Sequence, residues 1–223
     1  MVMLSNWIGG MRMKVVEIFS SIQGEGKYTG YPTTFIRFYG CVAKPFCRYC
    51  DSIYACEGKN YSLMSLDKIM LEVSKLGNKY VCLTGGEPLL QNDIYPLIYE
   101  LLSFSYTVSI ETSGLIDIDS DDYKRSYNYV MDIKCPCSGV ERLNKYNNLA
   151  VLKSYDEVKF VIDNEKDIEF VKKILKKYPT KAEIILSPVN NNEESVKLIN
   201  KTLLDGSIKG RIGIQLHKIL NVK

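Results

Sequence analysis

Three cysteines crowd into ten residues, Cys41-x5-Cys47-x2-Cys50, directly after a stretch that alternates apolar and polar side chains. Thiolates on one loop have two main uses. Each can hold one iron of a cubane cluster, leaving a fourth iron open to a small chelating ligand. A C-x2-C pair can instead anchor zinc, which as a structural ion needs a fourth ligand, and Cys56 or His217 are the candidates. The spacing alone leaves both open. The chain carries seven cysteines, an odd number, and its first residues lack the basic start and apolar run of an export signal. A metal or redox site is therefore the better reading than a disulfide framework, and the expected compartment is the cytoplasm.

The second motif is Thr84-Gly85-Gly86-Glu87-Pro88, at the end of the apolar run 79–84. Paired glycines let backbone come close to a ligand. Glu87 offers a carboxylate for an ammonium group, and Pro88 suits the first turn of a helix. By itself the motif is a tight turn. Next to a cysteine loop one strand earlier, it tips the balance from zinc to iron–sulfur. Glu111-Thr-Ser-Gly114 and Asp132-Ile-Lys-Cys-Pro136 also stand where apolar runs end.

These motifs need strands to hold them. Periodicity predicts strands at 14–20, 33–39, 79–84, 106–111, 127–133, 157–162, 182–186 and 211–216. Helices are expected at 65–76 (Ser65 as N-cap), 89–104, 165–177 and 193–203. The connections 112–126 and 134–156 are polar and turn-rich. The expected fold class is therefore α/β: a partial, open (βα)6-type barrel of parallel strands with fewer covering helices than strands. In such folds sites gather at the carboxyl ends of strands, where all the motifs fall. Residues 1–12, with Trp7, read as an appendage, and 13–223 as one domain, which suits 223 residues. A net charge of +3 gives no argument for nucleic acid, and no apolar run is long enough for a membrane span.

In combination, these motifs resemble the radical S-adenosylmethionine superfamily. Its usual loop is C-x3-C-x2-C, so residues 42–46 contain a two-residue insertion. The flanks Ser21-Ile22-Gln23-Gly24-Glu25-Gly26, Phe35-Ile36-Arg37-Phe38, Cys50-Asp51-Ser52 and Gln215-Leu216-His217-Lys218 are similar to the 7-carboxy-7-deazaguanine synthase family over about residues 14 to 220. That resemblance implies a lyase of queuosine or archaeosine biosynthesis, a tRNA-modification pathway. Its substrate is 6-carboxy-5,6,7,8-tetrahydropterin, and ring contraction with loss of ammonia gives 7-carboxy-7-deazaguanine. The cofactors implied are a [4Fe-4S] cluster, S-adenosyl-L-methionine and Mg2+. The cluster, once reduced by a donor such as flavodoxin or ferredoxin, cleaves S-adenosylmethionine to a 5′-deoxyadenosyl radical. A homodimer is implied as well.

By the same resemblance, Cys41, Cys47 and Cys50 hold the cluster and Ser52, in place of the usual Thr, binds Mg2+. Tyr49, Cys50, Asp51, Gly86, Glu87, Glu111, Ser113, Asp132, Ile133, Lys134 and Ser187 bind the cofactor. Asp132, Ile133 and Lys134 stand where the family often has Ser-Pro-Lys. Ile22, Gln23, Gly24, Arg37, Thr84 and His217 bind the substrate, with the Arg37 fork on its carboxylate. His217, the only histidine, has a titration range that suits proton handling. Cys56, Cys82, Cys135 and Cys137 read as non-ligands. Two other readings share parts of this pattern. A glycyl-radical activating enzyme, acting on a partner protein, shares the cluster loop and a GGEP-like motif, but the QGEG loop, Arg37 and the compact length argue against it. A zinc-stabilised binding module has no catalysis at all.

Overall fold

Parity along the strands decides which side chains meet. The computed structural model describes residues 12–119 and 125–223. In β2 (Pro32–Phe38), Ile36 and Phe38 point outward and are fully buried, while Phe35 and Arg37 point the other way. The same alternation runs through β4 (Tyr80–Gly85), β5 (Thr107–Thr112), β6 (Asn128–Ile133), β7 (Glu157–Ile162) and β8 (Glu183–Pro188). Val81, Leu83, Val108, Ile110, Met131, Ile133, Val158, Phe160 and Leu186 join one core cluster on the outer face. The inner face carries Thr84, Glu111, Asp132, Lys159 and Ser187, brought side by side by register: Arg37 opposite Thr84, Asp132 opposite Lys159. Buried parallel strands are usually apolar on both faces. A polar inner face is the mark of a lined cavity.

These six strands are parallel and lie in chain order within a nine-stranded open sheet. β1 (Arg12–Ile22) flanks β2 antiparallel, and β3 (Ser62–Ser65) pairs with β1 at the edge. β9 (Arg211–Ile212) closes the other edge. Outside, α1 (Leu66–Leu76), α2 (Ile94–Ser103), α4 (Glu165–Lys177) and α5 (Glu193–Leu204) cover the sheet through Ile69, Val73, Leu97, Ile98, Leu101, Ile168, Val171 and Ile199. The β6–β7 connection holds only short turns and α3 (Asn148–Val151), so helices are fewer than strands, as the polar connections implied.

Ser65 caps α1 as expected, its hydroxyl accepting from the Lys68 N–H at 3.3 Å. Three expectations need correction, and β3 is a strand where none was expected. The helix expected at 89–104 begins at Ile94. Gln91 ends the short turn before it, its side chain accepting from the Lys14 N–H and donating to the Tyr39 carbonyl. The last strand stops at Ile212, because the chain leaves the sheet so that the Leu216 N–H can reach the Gly24 carbonyl at 3.0 Å. Leu216–Leu220 is then α6, not strand. Finally, β1 begins at Arg12, within the range assigned to the appendage; Trp7 lies outside the described residues.

Candidate active site

The strand ends, the cysteine loop and the QGEG loop enclose a cavity of about 410 Å3. Cys41, Cys47 and Cys50 stand on one wall, half-buried and unpaired with one another. The loop that carries them is fixed at both ends. The Gly40 N–H donates to the Ala55 carbonyl at 2.9 Å, and the Arg48 N–H to the Ser138 carbonyl at 3.1 Å. The inserted residues bulge outward. Ala43 stays buried on the cavity side while Lys44 and Pro45 are exposed, with the Lys44 ammonium 3.7 Å over the Phe46 ring.

A bond from the Cys56 thiol and one from the Ala43 N–H draw Cys41 down to about 6, while burial pushes Cys47 and Cys50 up. Among the described residues no three Cys, His, Asp or Glu side chains converge on a single-ion site. A cubane asks for less, one thiolate at each of three corners. Three unpaired thiols lining one cavity are the donor set it asks for. Gly86 lies against this wall, where a Cβ would sit 2.0 Å from the Gly40 carbonyl oxygen and 2.9 Å from Cys56 Sγ. Only glycine fits there.

Glu87 is placed differently from the expectation. Its side chain is fully buried beneath the cavity and does not line it. The carboxylate accepts from the Leu89 N–H (3.0 Å), the Thr112 hydroxyl (2.9 Å), the Ser113 N–H (2.8 Å) and the Ser113 hydroxyl. It ties the end of β4 to the end of β5, and so positions Gly86 and Ser113, which do face the cavity. Ile133 is the second displaced residue. Parity turns it into the outer core, 1% exposed, while Asp132 and Lys134 line the cavity.

Much of the remaining lining is polar. Glu111 accepts from Thr84 Oγ1 at 2.8 Å and from Gln23 Nε2 at 3.2 Å. Glu111 is thereby tied to Thr84 and Gln23, two of the expected substrate residues. Gly24 packs directly on His217, and a Cβ there would sit 1.9 Å from Nδ1. Ile22 and Ser187 complete this side. Arg37 donates from Nε to Glu17 at 2.8 Å and reaches Ser52 Oγ at 3.4 Å. Ser52 in turn donates to Asp51 at 3.0 Å, and Lys218 lies 3.4 Å from the same carboxylate. Burial raises Asp51, but Lys218 and Ser52 outweigh it and leave the group below its usual range. The oxygens of Ser52 and Asp51 are hard donors of the kind Mg2+ takes. Tyr49 lines the cavity with its hydroxyl buried and without a partner.

A chain of four charges crosses the floor. Glu25 pairs with Lys159 at 2.5 Å, Lys159 with Asp132 at 3.2 Å, and Asp132 with Lys134 at 2.6 Å. Burial works against each carboxylate, yet the lysines hold both Glu25 and Asp132 below their ordinary values. Lys159 escaped the sequence reading, as did Glu17 and Tyr54. The signal for Glu17 was present: in a 14–20/33–39 hairpin it falls opposite Arg37.

The comparisons agree with this geometry. A family model described as the radical S-adenosylmethionine superfamily matches residues 35–201. A 7-carboxy-7-deazaguanine synthase from Methanospirillum hungatei is 38% identical over 94% of this chain and 86% of its own length. Those of Clostridium acetobutylicum and Koribacter versatilis are 36% and 34% identical over 94% and 93% of this chain, and 96% of theirs. Among solved structures, QueE from Escherichia coli matches at a TM-score of 0.75, covering 95% of this chain and 97% of that one at 23% identity. S-adenosylmethionine-bound SuiB from Streptococcus suis matches at 0.56, over 78% of this chain and 47% of that one. Both likenesses speak for the fold. The chain belongs to the 7-carboxy-7-deazaguanine synthase family, enzymes of the radical S-adenosylmethionine superfamily that serve deazapurine biosynthesis.

Proposed function

We propose that this chain converts 6-carboxy-5,6,7,8-tetrahydropterin to 7-carboxy-7-deazaguanine with loss of ammonia. One observation carries the reading. Three cysteines line one cavity together with Gln23, Arg37, Thr84 and Glu111, in a chain of this family. Cys41, Cys47 and Cys50 would hold a [4Fe-4S] cluster, which with S-adenosylmethionine supplies a hydrogen-abstracting radical. The chain's own residues do the rest. The Gly86 backbone and Ser113, positioned by Glu87, meet the methionine end of the cofactor. Tyr49, Asp51, Asp132, Lys134 and Ser187 surround its nucleoside. Ser52 binds Mg2+. Gln23, Thr84 and Glu111 present donors and acceptors to the flat pterin edge, and Arg37 its fork to the carboxylate. His217 and Ile22 close the QGEG side.

An external reductant is needed, for which a flavodoxin or ferredoxin of the cytoplasm is suited. A homodimer is the assembly we expect. The test is anaerobic reconstitution, then incubation with the carboxypterin, S-adenosylmethionine, reductant and Mg2+. The expected result is iron, sulfide and a deazapurine product by mass. Cofactor cleavage without any deazapurine removes the substrate assignment. Absence of iron and sulfide removes the radical chemistry. Arg37→Ala is expected to retain the cluster and lose pterin turnover; a colourless variant would show Arg37 to be misplaced.

A further inference from the structure

A fourth thiol stands among the three of the cysteine loop. Cys56 ends the short turn Ile53–Ala55, its N–H donating to the Ile53 carbonyl at 2.8 Å. The backbone seats it beside Cys41. The Gly40 N–H donates to the Ala55 carbonyl at 2.9 Å, so the two residues that directly precede these cysteines are joined. The side chains complete the approach, the Cys56 thiol bonding to the Cys41 sulfur. Among the described residues, the Cys47 and Cys50 thiols make no such contact.

Both sulfurs are held in place. The Cys56 sulfur lies 3.6 Å from the Ser52 carbonyl, and a Cβ on Gly86 would press on it at 2.9 Å. Cys41 accepts from the Ala43 N–H at 3.4 Å. Both residues line the open cavity, so a small solute reaches them. A buried free cysteine is ordinarily a packing residue. Two thiols in contact inside a cavity have a second use, because an oxidised thiol is captured by the thiol next to it.

We propose that Cys56 is a resolving thiol, which in the cluster-free chain traps peroxide-oxidised Cys41 as a Cys41–Cys56 disulfide. The Cys41 sulfur attacks one oxygen of hydrogen peroxide, the O–O bond breaks, and one water leaves behind a sulfenic acid. The Cys56 sulfur then displaces that oxygen. An S–S bond forms, the S–O bond breaks, and the hydroxyl leaves with the thiol proton as a second water. Two thiols and one peroxide thus give one disulfide and two waters. Without the neighbour, a second peroxide carries the sulfenic acid on to sulfinic acid, which thiols do not reverse. The disulfide is reopened by thiol exchange. It also withholds Cys41 from metal until it is reduced. The proposal concerns the cluster-free chain and stands apart from the choice of substrate.

The test exposes the reduced, cluster-free full-length chain to a small excess of hydrogen peroxide. Free thiols are then alkylated and the non-reduced digest is sequenced by mass spectrometry. The expected product joins Cys41 to Cys56 and leaves Cys47 and Cys50 alkylated; the loaded holoenzyme gives none. Iron per chain is then measured after reconstitution with a thiol reductant. Treated wild type should recover the untreated level. Treated Cys56→Ser should recover about threefold less, with Cys41 found as sulfinic acid. Untreated Cys56→Ser should load iron as the wild type does. A main product joining Cys47 to Cys50, or Cys41 to Cys47, overturns the proposal. Full recovery by treated Cys56→Ser does the same. An untreated Cys56→Ser that takes up no iron also overturns it, by making Cys56 a ligand.

Discussion

Replacing Lys159 by Met isolates the charge chain that spans the cavity floor. The wild-type chain alternates Glu25, Lys159, Asp132 and Lys134 and is neutral. In the variant two carboxylates remain with one ammonium. Lys159 Nζ lies 3.2 Å from Asp132 Oδ1 and 2.5 Å from Glu25. At an effective dielectric of 20, Coulomb's law gives about 5 kcal/mol for the Asp132 contact alone. The lysine's own desolvation returns part of that. Losing one partner of a buried pair costs roughly 3–5 kcal/mol, and a side chain 17% exposed belongs at the low end. We expect a loss of about 3 kcal/mol, a Tm lower by about 6–12 °C in a chain of this size.

The pH dependence has a definite sign. In the wild type the lysines hold Glu25 and Asp132 low, so their contribution is full above the ordinary carboxylate range and fades as pH falls through their lowered values. In Lys159→Met, Glu25 keeps only the Gln215 amide, 2.7 Å away, and its folded-state value rises. The destabilisation is then present while Glu25 is ionised and relieved as it protonates. Melting followed by circular dichroism at pH 7.5 and 5.5 should show a smaller deficit at the lower pH, with Lys159→Arg close to wild type. A Tm shift under about 2 °C, or a deficit that grows on acidification, would refute the reasoning.

Gly24→Ala forces a Cβ to within 1.9 Å of the His217 ring and 2.9 Å of its backbone nitrogen. It should displace α6 and raise the KM for the pterin at least tenfold while leaving iron content intact; steady-state kinetics with iron analysis check this. Asp156→Ala removes the carboxylate that pairs with Arg125 and accepts from the Tyr129 N–H at 2.9 Å, with both paired side chains 2% exposed or less. A buried arginine left alone should cost about 3–5 kcal/mol, read as a drop in the urea midpoint. That site lies away from the cavity lining, so activity per folded enzyme should survive.

The cysteine loop, the strand-end motifs and the six-strand order were legible in the chain because each rests on local periodicity. Val81 and Leu83, and Val108 and Ile110, take the outer face of their strands, and Thr84 and Glu111, of the other parity, line the cavity. Parity also decides two side chains that the motifs left undecided. Ile133 sits between two cavity residues and must point outward. Glu87 follows two glycines in a motif that suggested ligand contact, yet a carboxylate there meets Thr112 and Ser113 of the neighbouring strand first.

Register and long-range closure belonged to the tertiary structure alone. Nothing local places Lys159 between Glu25 and Asp132, 134 and 27 positions away, or Lys223 on Glu17. The pull of Gly24 on Leu216 likewise ended a strand that periodicity extended to residue 216. Alternation fixes which face a side chain takes. Which other side chain it meets there depends on how the strands are laid beside one another, and that is decided by the packed sheet as a whole.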